Sequence, residues 1–365
     1  MDKEFYNEAS AHRLGWEASW FIPGHAEYDV KLTKAIRVFQ RAHGLSADGM
    51  CGPSTYRRLI ADRDQHKEYV CFENKEYSEF IYYAGQPIPI EWDKVITHLD
   101  DNCLKMTGKK KTVSGKKRKV KYFVTHWDVC LNSESCVRVL NRRNLSVQFC
   151  IDNDGTIYQL CDMNDIAYHA GGSHNPNCVG VEISNAYYPK YQNWYKRHGH
   201  GERPVIDKAY VNGNELGPFL GFYPKQIEAL KALWKAVNKA TGIPLQTPLN
   251  QFGNTSKNYE QHVAYGKYEG FVSHYHVSKT KIDCAGLDIK SIEYLGHQNR
   301  LKELEILASN FFEKYDALVS PTTIMRAMKV EDSEIDGPLH DRSLLSSANT
   351  QPANLFNLCG INYPI

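Results

Sequence analysis

Four short apolar runs, at 122–125, 147–151, 156–160 and 179–183, constrain the fold most, because stretches that read as helix or turn separate them. Runs of this length suit strands, and Asp154-Gly155 between the second and third is a strong hairpin signal. A longer amphipathic pattern starts near Pro224, with Ile227, Leu230, Trp234 and Val237 on one face, and Gly242 and Pro244 close it. Strands with helices dispersed among them predict an α/β domain over residues 121–295, a central mixed β-sheet flanked by helices.

The first 65 residues follow another period. Leu32, Ile36 and Phe39 stand at helical spacing, Gly44 and Asp48-Gly49 punctuate a turn, and Pro53 with Ser54 and Thr55 predicts a second helix from about 54 through Leu59. A small all-α domain this short buries little alone, so it is expected to lean on Trp16, Trp20 and Phe21. Residues 66–120 read as a connector, with strand-like runs at 69–72 and 80–83 and a break at 85–89. Its end is basic: Lys109, Lys110, Lys111, Lys116, Lys117, Arg118, Lys119 and Lys121 surround Ser114-Gly115 and predict a solvated hairpin or loose loop, the alternative being a surface that meets anionic wall polymers or nucleic acid.

No aromatic residue interleaves that run, and 44 basic against 42 acidic residues leave a net charge of +2, so nucleic acid is not expected as a partner. No obligate protein partner is evident either. No segment approaches 18 uninterrupted apolar residues, and the start, Met1-Asp2-Lys3-Glu4-Phe5, lacks the basic and then apolar order of a secretory signal. The expectation is a protein made in a cytoplasm without a signal peptide and without stable membrane insertion. Ten cysteines in 365 residues, with no CxxC pair, read as reduced and buried rather than as a disulfide scaffold.

Chemistry-bearing residues gather in a few segments. Catalytic zinc takes three protein ligands and keeps a fourth position open. His126 follows the run at 122–125, and the segment 273–284 offers His274, His276, Asp283 and Cys284. Alternation turns Val179, Val181 and Ile183 one way and Glu182 the other, so a strand end can present this carboxylate to the same place.

Two resemblances give these residues roles. Phe39-Gln40, Gly44-Leu45, Asp48-Gly49, Gly52 and Thr55 resemble, in order, the pattern of the peptidoglycan-binding domain family of cell-wall hydrolases. Around His126, Phe149, His169, Glu182 and 273–288, the segments THWD, SVQFCIDNDGTIYQL, AYHAGG, NCVGVEISN and SHYHVSKTKIDCAGLD resemble the zinc-dependent N-acetylmuramoyl-L-alanine amidases of type 2. That family includes phage endolysins and animal peptidoglycan recognition proteins. The resemblance implies a Zn2+ ion held by His126, His274 and Cys284, with Glu182 as general base and Lys281 steadying the oxyanion. It places His169 and Gly171 along the substrate groove. His276 and Asp283 are rival ligands, and the family lysine stands two residues before its ligand, a spacing that suits Asp283 better than Cys284. Ser273 stands where glycine is usual and Ala285 where proline is usual, and Val147-Gln148 precede Phe149 where a Tyr or His is common.

Cys130 and Cys136 resemble a disulfide pair of the recognition proteins, one that would form only after release from the cell. The segment 186–222, rich in Tyr187, Tyr188, Tyr191, Trp194 and Tyr195, reads as an insertion, either stacking on sugars or packing as a flap. In the tail, 296–365, residues 311–323 and 349–365 resemble the last portion of amidase-signature enzymes without their catalytic serines and lysine. The function implied is a peptidoglycan hydrolase of endolysin type, cutting between N-acetylmuramic acid and L-alanine. The alternative is a protein of the same fold that binds peptidoglycan without cutting it.

Overall fold

The computed structural model describes residues 2–66 and 77–289, which fall within one compact unit, residues 1–292. The expected strand at 69–72 and the tail from 296 lie outside the described residues.

Three helices form the N-terminal part. Helix α1 (Lys3–Leu14) is capped by the Asp2 carboxylate and ends at Gly15 in a left-handed conformation, φ 71°. Helix α2 (Val30–Ala42) buries Leu32 and Ile36 and is capped by Asp29, which accepts from the Leu32 amide at 2.8 Å. Helix α3 (Pro53–Asp64) starts at Pro53, one residue before the expected 54, and runs five residues past Leu59. The motif residues between α2 and α3 form one network. Buried Gln40 donates to Asp48 Oδ1 at 2.8 Å, to the Met50 carbonyl at 3.0 Å and to Thr55 Oγ1 at 3.0 Å, and it accepts from the Gly49 amide at 2.8 Å. Gly49 sits at φ 81°, where a Cβ would lie 2.8 Å from Thr33 Cγ2.

The sheet has six strands: β1 (Val95–Thr97), β2 (Tyr122–Trp127), β3 (Phe149–Ile151), β4 (Ile157–Gln159), β5 (Cys178–Ile183) and β6 (Gly270–Ser273). Their order is β6-β2-β5-β3-β4-β1. Only the β3–β4 hairpin pairs antiparallel, around Asp154-Gly155, so the sheet is mixed as expected. Three further helices follow the strands: α4 (Ser133–Arg142), α5 (Gln192–Arg197) and α6 (Pro224–Thr241). One face of the sheet carries Phe123, Trp127, Phe149, Ile151, Val179, Val181, Ile183 and Phe271 into the main core, where α6 covers it with Leu230, Leu233, Trp234 and Val237. The opposite face carries Tyr122, Val124 and His126 on β2, and Cys178, Gly180 and Glu182 on β5.

Part of that second face is covered by the N-terminal helices. Leu14, Trp16, Leu32, Ile36, Leu59 and Ile60 share one apolar cluster with Cys136 and Leu140 of α4, Cys150 of β3 and Tyr158 of β4. Polar contacts reinforce the seam. Asp64 of α3 accepts from Ser135 Oγ at 2.6 Å and pairs with Arg138, and Asp62 accepts from Lys190 Nζ at 2.6 Å and Tyr191 OH at 2.9 Å. The Arg58 guanidinium lies over the Tyr188 ring at 4.4 Å.

Two segments left open by the sequence take definite form here. The lysines at 109–111, 116, 117 and 119 are exposed, as expected of a solvated run, but the segment is anchored: Lys110–Lys111 pairs with Ile166–Ala167, and Arg118 donates to the carbonyls of Met163, Asn164, Pro176 and Cys178. Its planar fork of donors gathers carbonyls from two separate segments, 163–164 and 176–178. Among the aromatics of 186–195, Tyr191, Trp194 and Tyr195 are buried, so these rings pack instead of offering faces to sugars. Cys130 and Cys136 are buried free thiols.

Candidate metal and catalytic site

The site forms where three parallel strands end, since neighbouring strands in register bring distant sequence to one edge. His126 is the penultimate residue of β2 and stands in register with Glu182, the penultimate residue of β5. Both side chains therefore leave the same face. On the other side of β2, β6 ends at Ser273, and His274 opens a single helical turn, His274–Val277.

Three donor atoms converge there. His126 Nδ1 and His274 Nδ1 are 3.0 Å apart, and Asp283 Oδ2 lies 3.1 Å from the first and 3.0 Å from the second. These groups are almost wholly buried and form the single group among the described residues whose ligand atoms could share a metal ion. One proton can bridge only one of the three pairs, whereas a divalent cation takes a lone pair from each. Two imidazoles and a carboxylate are a donor set suited to catalytic zinc, so the residues fit that ion.

The electrostatics agree with an anionic carboxylate between the two imidazoles. Burial opposes the charge of Asp283, but His274 and His126 beside it hold its carboxyl well below the usual range. Burial also pushes His126 down to about 4, with His274 and Lys281 acting in the same direction. Lys281 is thus close enough for its ammonium to be felt at the cluster.

Cys284 is where the structure departs from the sequence reading. Its side chain is turned into the main core with Ala285 and Leu287, and burial, with Asp283 and Glu182 nearby, pushes its thiol well up. A thiol held protonated in an apolar core is a poor ligand. Asp283 stands in its place, and the signal lay in the sequence, because Lys281 precedes Asp283 by two residues. His276, the other rival, is committed elsewhere: its Nε2–H donates to the Ser256 carbonyl at 2.8 Å, and its Nδ1 accepts from the Ser273 amide at 3.0 Å.

His169, expected along the groove, stands behind His126. Its Nδ1 is 3.0 Å from His126 Nε2, so a proton on that Nε2 donates backwards and leaves Nδ1 of His126 bare for a metal. The ring has room because residue 180 is glycine: a Cβ there would lie 2.3 Å from His169 Cε1. Gly171 serves a turn at φ 98°, its carbonyl accepting from the His174 and Asn175 amides at 3.1 and 3.0 Å. Glu182 is half-buried. Desolvation pushes its carboxyl well above the usual range, the charges of Asp128 and Asp283 push the same way, and Arg57 and Arg143 oppose them. Asp128 ties the two strand ends together, accepting from the Cys130 and Asn185 amides at 2.8 and 2.9 Å.

Residues 116–284 match the family model described as N-acetylmuramoyl-L-alanine amidase, and residues 13–59 match that of a putative peptidoglycan binding domain. No curated protein matches the sequence. Similar solved structures include the hydrolase AmiA of Staphylococcus aureus in complex with its ligand, at 12% identity over 51% of this chain and 66% of that one, TM-score 0.31. Another is the endolysin amidase LysCS of Clostridium intestinale, at 15% identity over 56% of this chain and 95% of that one, TM-score 0.33. A third is AmpDh3 of Pseudomonas aeruginosa in complex with an anhydromuramic pentapeptide, at 16% identity over 68% and 90%, TM-score 0.32. The chain spans about two thirds of the length of AmiA and 49% of the AmiD amidase of E. coli.

Proposed function

We propose, from the premise that residues 116–284 form a domain of the N-acetylmuramoyl-L-alanine amidase family, that this protein hydrolyses the amide joining N-acetylmuramic acid to L-alanine in peptidoglycan. The observation that carries the reading is the convergence of His126, His274 and Asp283, with Glu182 in register one strand away. A zinc ion held by those three residues would lower the pKa of a water toward neutrality and polarise the amide carbonyl.

The chain's own residues supply the rest. Hydrolysis of an unactivated amide needs a proton taken from water and a proton given to the leaving amine. Glu182, whose carboxyl is biased toward holding a proton, takes the first and returns it to the alanine nitrogen. The Lys281 ammonium faces the charge that develops on the carbonyl oxygen. His169 fixes the His126 ring from behind, and the N-terminal helices supply a wall-binding module beside the catalytic face. The pairing of the two modules supports a bacteriolytic role of endolysin type, in which the protein, made in a cytoplasm, reaches the wall after release.

The test is mass spectrometry of products from purified peptidoglycan, run beside zinc content per chain. Wild type should release free stem peptides from intact glycan and lose that activity on chelation. Asp283→Ala should lose both zinc and activity, while Cys284→Ser should keep zinc and stay within about threefold of wild-type rate, since its thiol packs in the core. Intact wall that still retains the protein would instead support the non-catalytic recognition reading.

A further inference from the structure

The segment between Glu182 and α6 has no chemical group at the metal triad, yet it grips the site at two ends. Arg203 anchors it. This fully buried guanidinium lies between the Tyr195 and Tyr223 rings, 4.3 Å from each, and donates to the carbonyls of Gly221 at 3.0 Å and Ser184 at 2.8 Å. Ser184 is two residues past Glu182, so the anchor lies at the end of β5.

From that anchor a hairpin, Ala209–Val211 paired with Asn214–Leu216, crosses toward the opposite side of the site. Val211 is buried in the main core. The turn is Asn212-Gly213, with φ 52° and 76°, a conformation that these two residue types accept readily. A residue needed only for the turn would spend its carboxamide on the turn or on water. Asn212 spends it elsewhere: Oδ1 accepts from the Tyr259 amide at 2.6 Å, and Nδ2 donates to the carbonyls of Lys279 at 3.3 Å and Lys281 at 3.2 Å. Its backbone N–H donates to the Lys257 carbonyl at 3.0 Å.

One side chain therefore joins two segments, which also touch where the Lys279 ammonium lies over the Tyr259 ring at 5.1 Å. Residues 256–260 hold the turn after β6, through the Ser256 carbonyl on His276 and the Glu260 amide on the His276 carbonyl. Residues 278–283 carry Lys281 and Asp283, and besides Asn212 their backbone is tied by the Ser278 amide donating to the His274 carbonyl, the Lys281 amide to the Ser278 carbonyl and the Tyr275 amide to the Asp283 carbonyl, each at 3.1 Å, and by the Ala285 amide donating to the Ile282 carbonyl at 2.8 Å; among these, only the Asn212 carboxamide bonds the Lys281 carbonyl. We infer that Asn212 is a positioning residue for the amidase site, setting the Lys281–Asp283 loop relative to His274 through the backbone of Lys281. The inference rests on the proposed amidase reading for what the loop does, and on geometry alone for how it is held. A catalytic group displaced by about 1 Å loses much of its rate, on the order of a hundredfold in unfavourable cases.

Two variants of the full chain test it. Asn212→Gly keeps the left-handed turn and the backbone bond to Lys257 but removes the carboxamide. Asn212→Asp keeps the acceptor for Tyr259 and replaces the donation to Lys279 and Lys281 with a carboxylate oxygen that repels their carbonyls. In both, hydrogen exchange of the peptide covering 278–284 should quicken about tenfold, with exchange in the β2 and β5 peptides unchanged. On a soluble muropeptide, kcat should fall about tenfold while KM stays within about twofold. Wild-type exchange in 278–284 together with wild-type kcat in Asn212→Asp would overturn the inference, as would quickened exchange throughout the chain with a fall in Tm. If wild type cleaves no muropeptide, the amidase reading fails while the exchange experiment still decides the brace.

Discussion

At the scale of single residues, the site is a contest between ionisable groups in a dry place. Glu182 feels desolvation and two carboxylates pushing its proton on, against two arginines pulling it off. Glu182→Gln keeps the size and removes the titration. It should retain the wild-type zinc content and lose about 10²- to 10⁴-fold in kcat, measured on a soluble muropeptide. A variant that also loses zinc would show that residue 182 holds the cluster together rather than moving protons. Legibility in the sequence follows the same division. His126 and Glu182 stood out because each lies at the end of an apolar run whose alternation fixes its direction, whereas His274 rested on the family resemblance of 274–277. The choice between Asp283 and Cys284 was not readable from period, because adjacent residues in an irregular loop point where the chain's turn sends them. Only the Lys281 spacing favoured Asp283. His169 was legible as a site residue but not as the support of His126, since that needs the distance between two segments.

At the scale of elements, the parallel register of β2 and β5 does most of the placing. Gly180 shows how narrow the tolerance is, because the residue two before Glu182 must leave room for an imidazole. In Gly180→Ala the new methyl would meet the His169 ring at 2.3–2.8 Å and force it off His126 Nε2. Zinc affinity, read by competition with a chromophoric chelator, should weaken about ten- to a hundredfold. Unchanged affinity would mean that His169 contributes nothing to the ligand's orientation. The strands themselves were legible from length and alternation, and the hairpin from Asp154-Gly155. The basic run was legible as solvent-facing in Lys109–Lys111, Lys116, Lys117 and Lys119, but not in Arg118, which finds its partners only when Met163, Pro176 and Cys178 are folded around it. The aromatics of the insertion were equally ambiguous, since burial depends on α3 arriving from far upstream.

At the scale of the whole molecule, the seam between α3 and the segment 186–195 is a cluster of charges. Burial raises the Asp62 carboxyl, but the hydrogen bonds from His43, Lys190 and Tyr191 outweigh it and hold it well below its ordinary range. A carboxyl lowered by folding stabilises fully above its unfolded value near 4, and that stabilisation is lost as pH falls from there through the lower folded value. Asp62→Asn should therefore unfold at a lower temperature than wild type at pH 7, and the gap should narrow steadily below about pH 4. A gap that does not change with pH would assign the seam to packing alone. The apolar cluster beneath this seam has a further consequence. Modules strung on linkers can be traded between genes as independent cassettes, because neither loses its interior when the other leaves. Here Leu59 and Ile60 on one side, with Cys136, Leu140 and Tyr158 on the other, make one interior out of both halves. A recombination that swapped the N-terminal helices for another lineage's would open that interior to water, so the two halves are bound to be inherited, and to change, together.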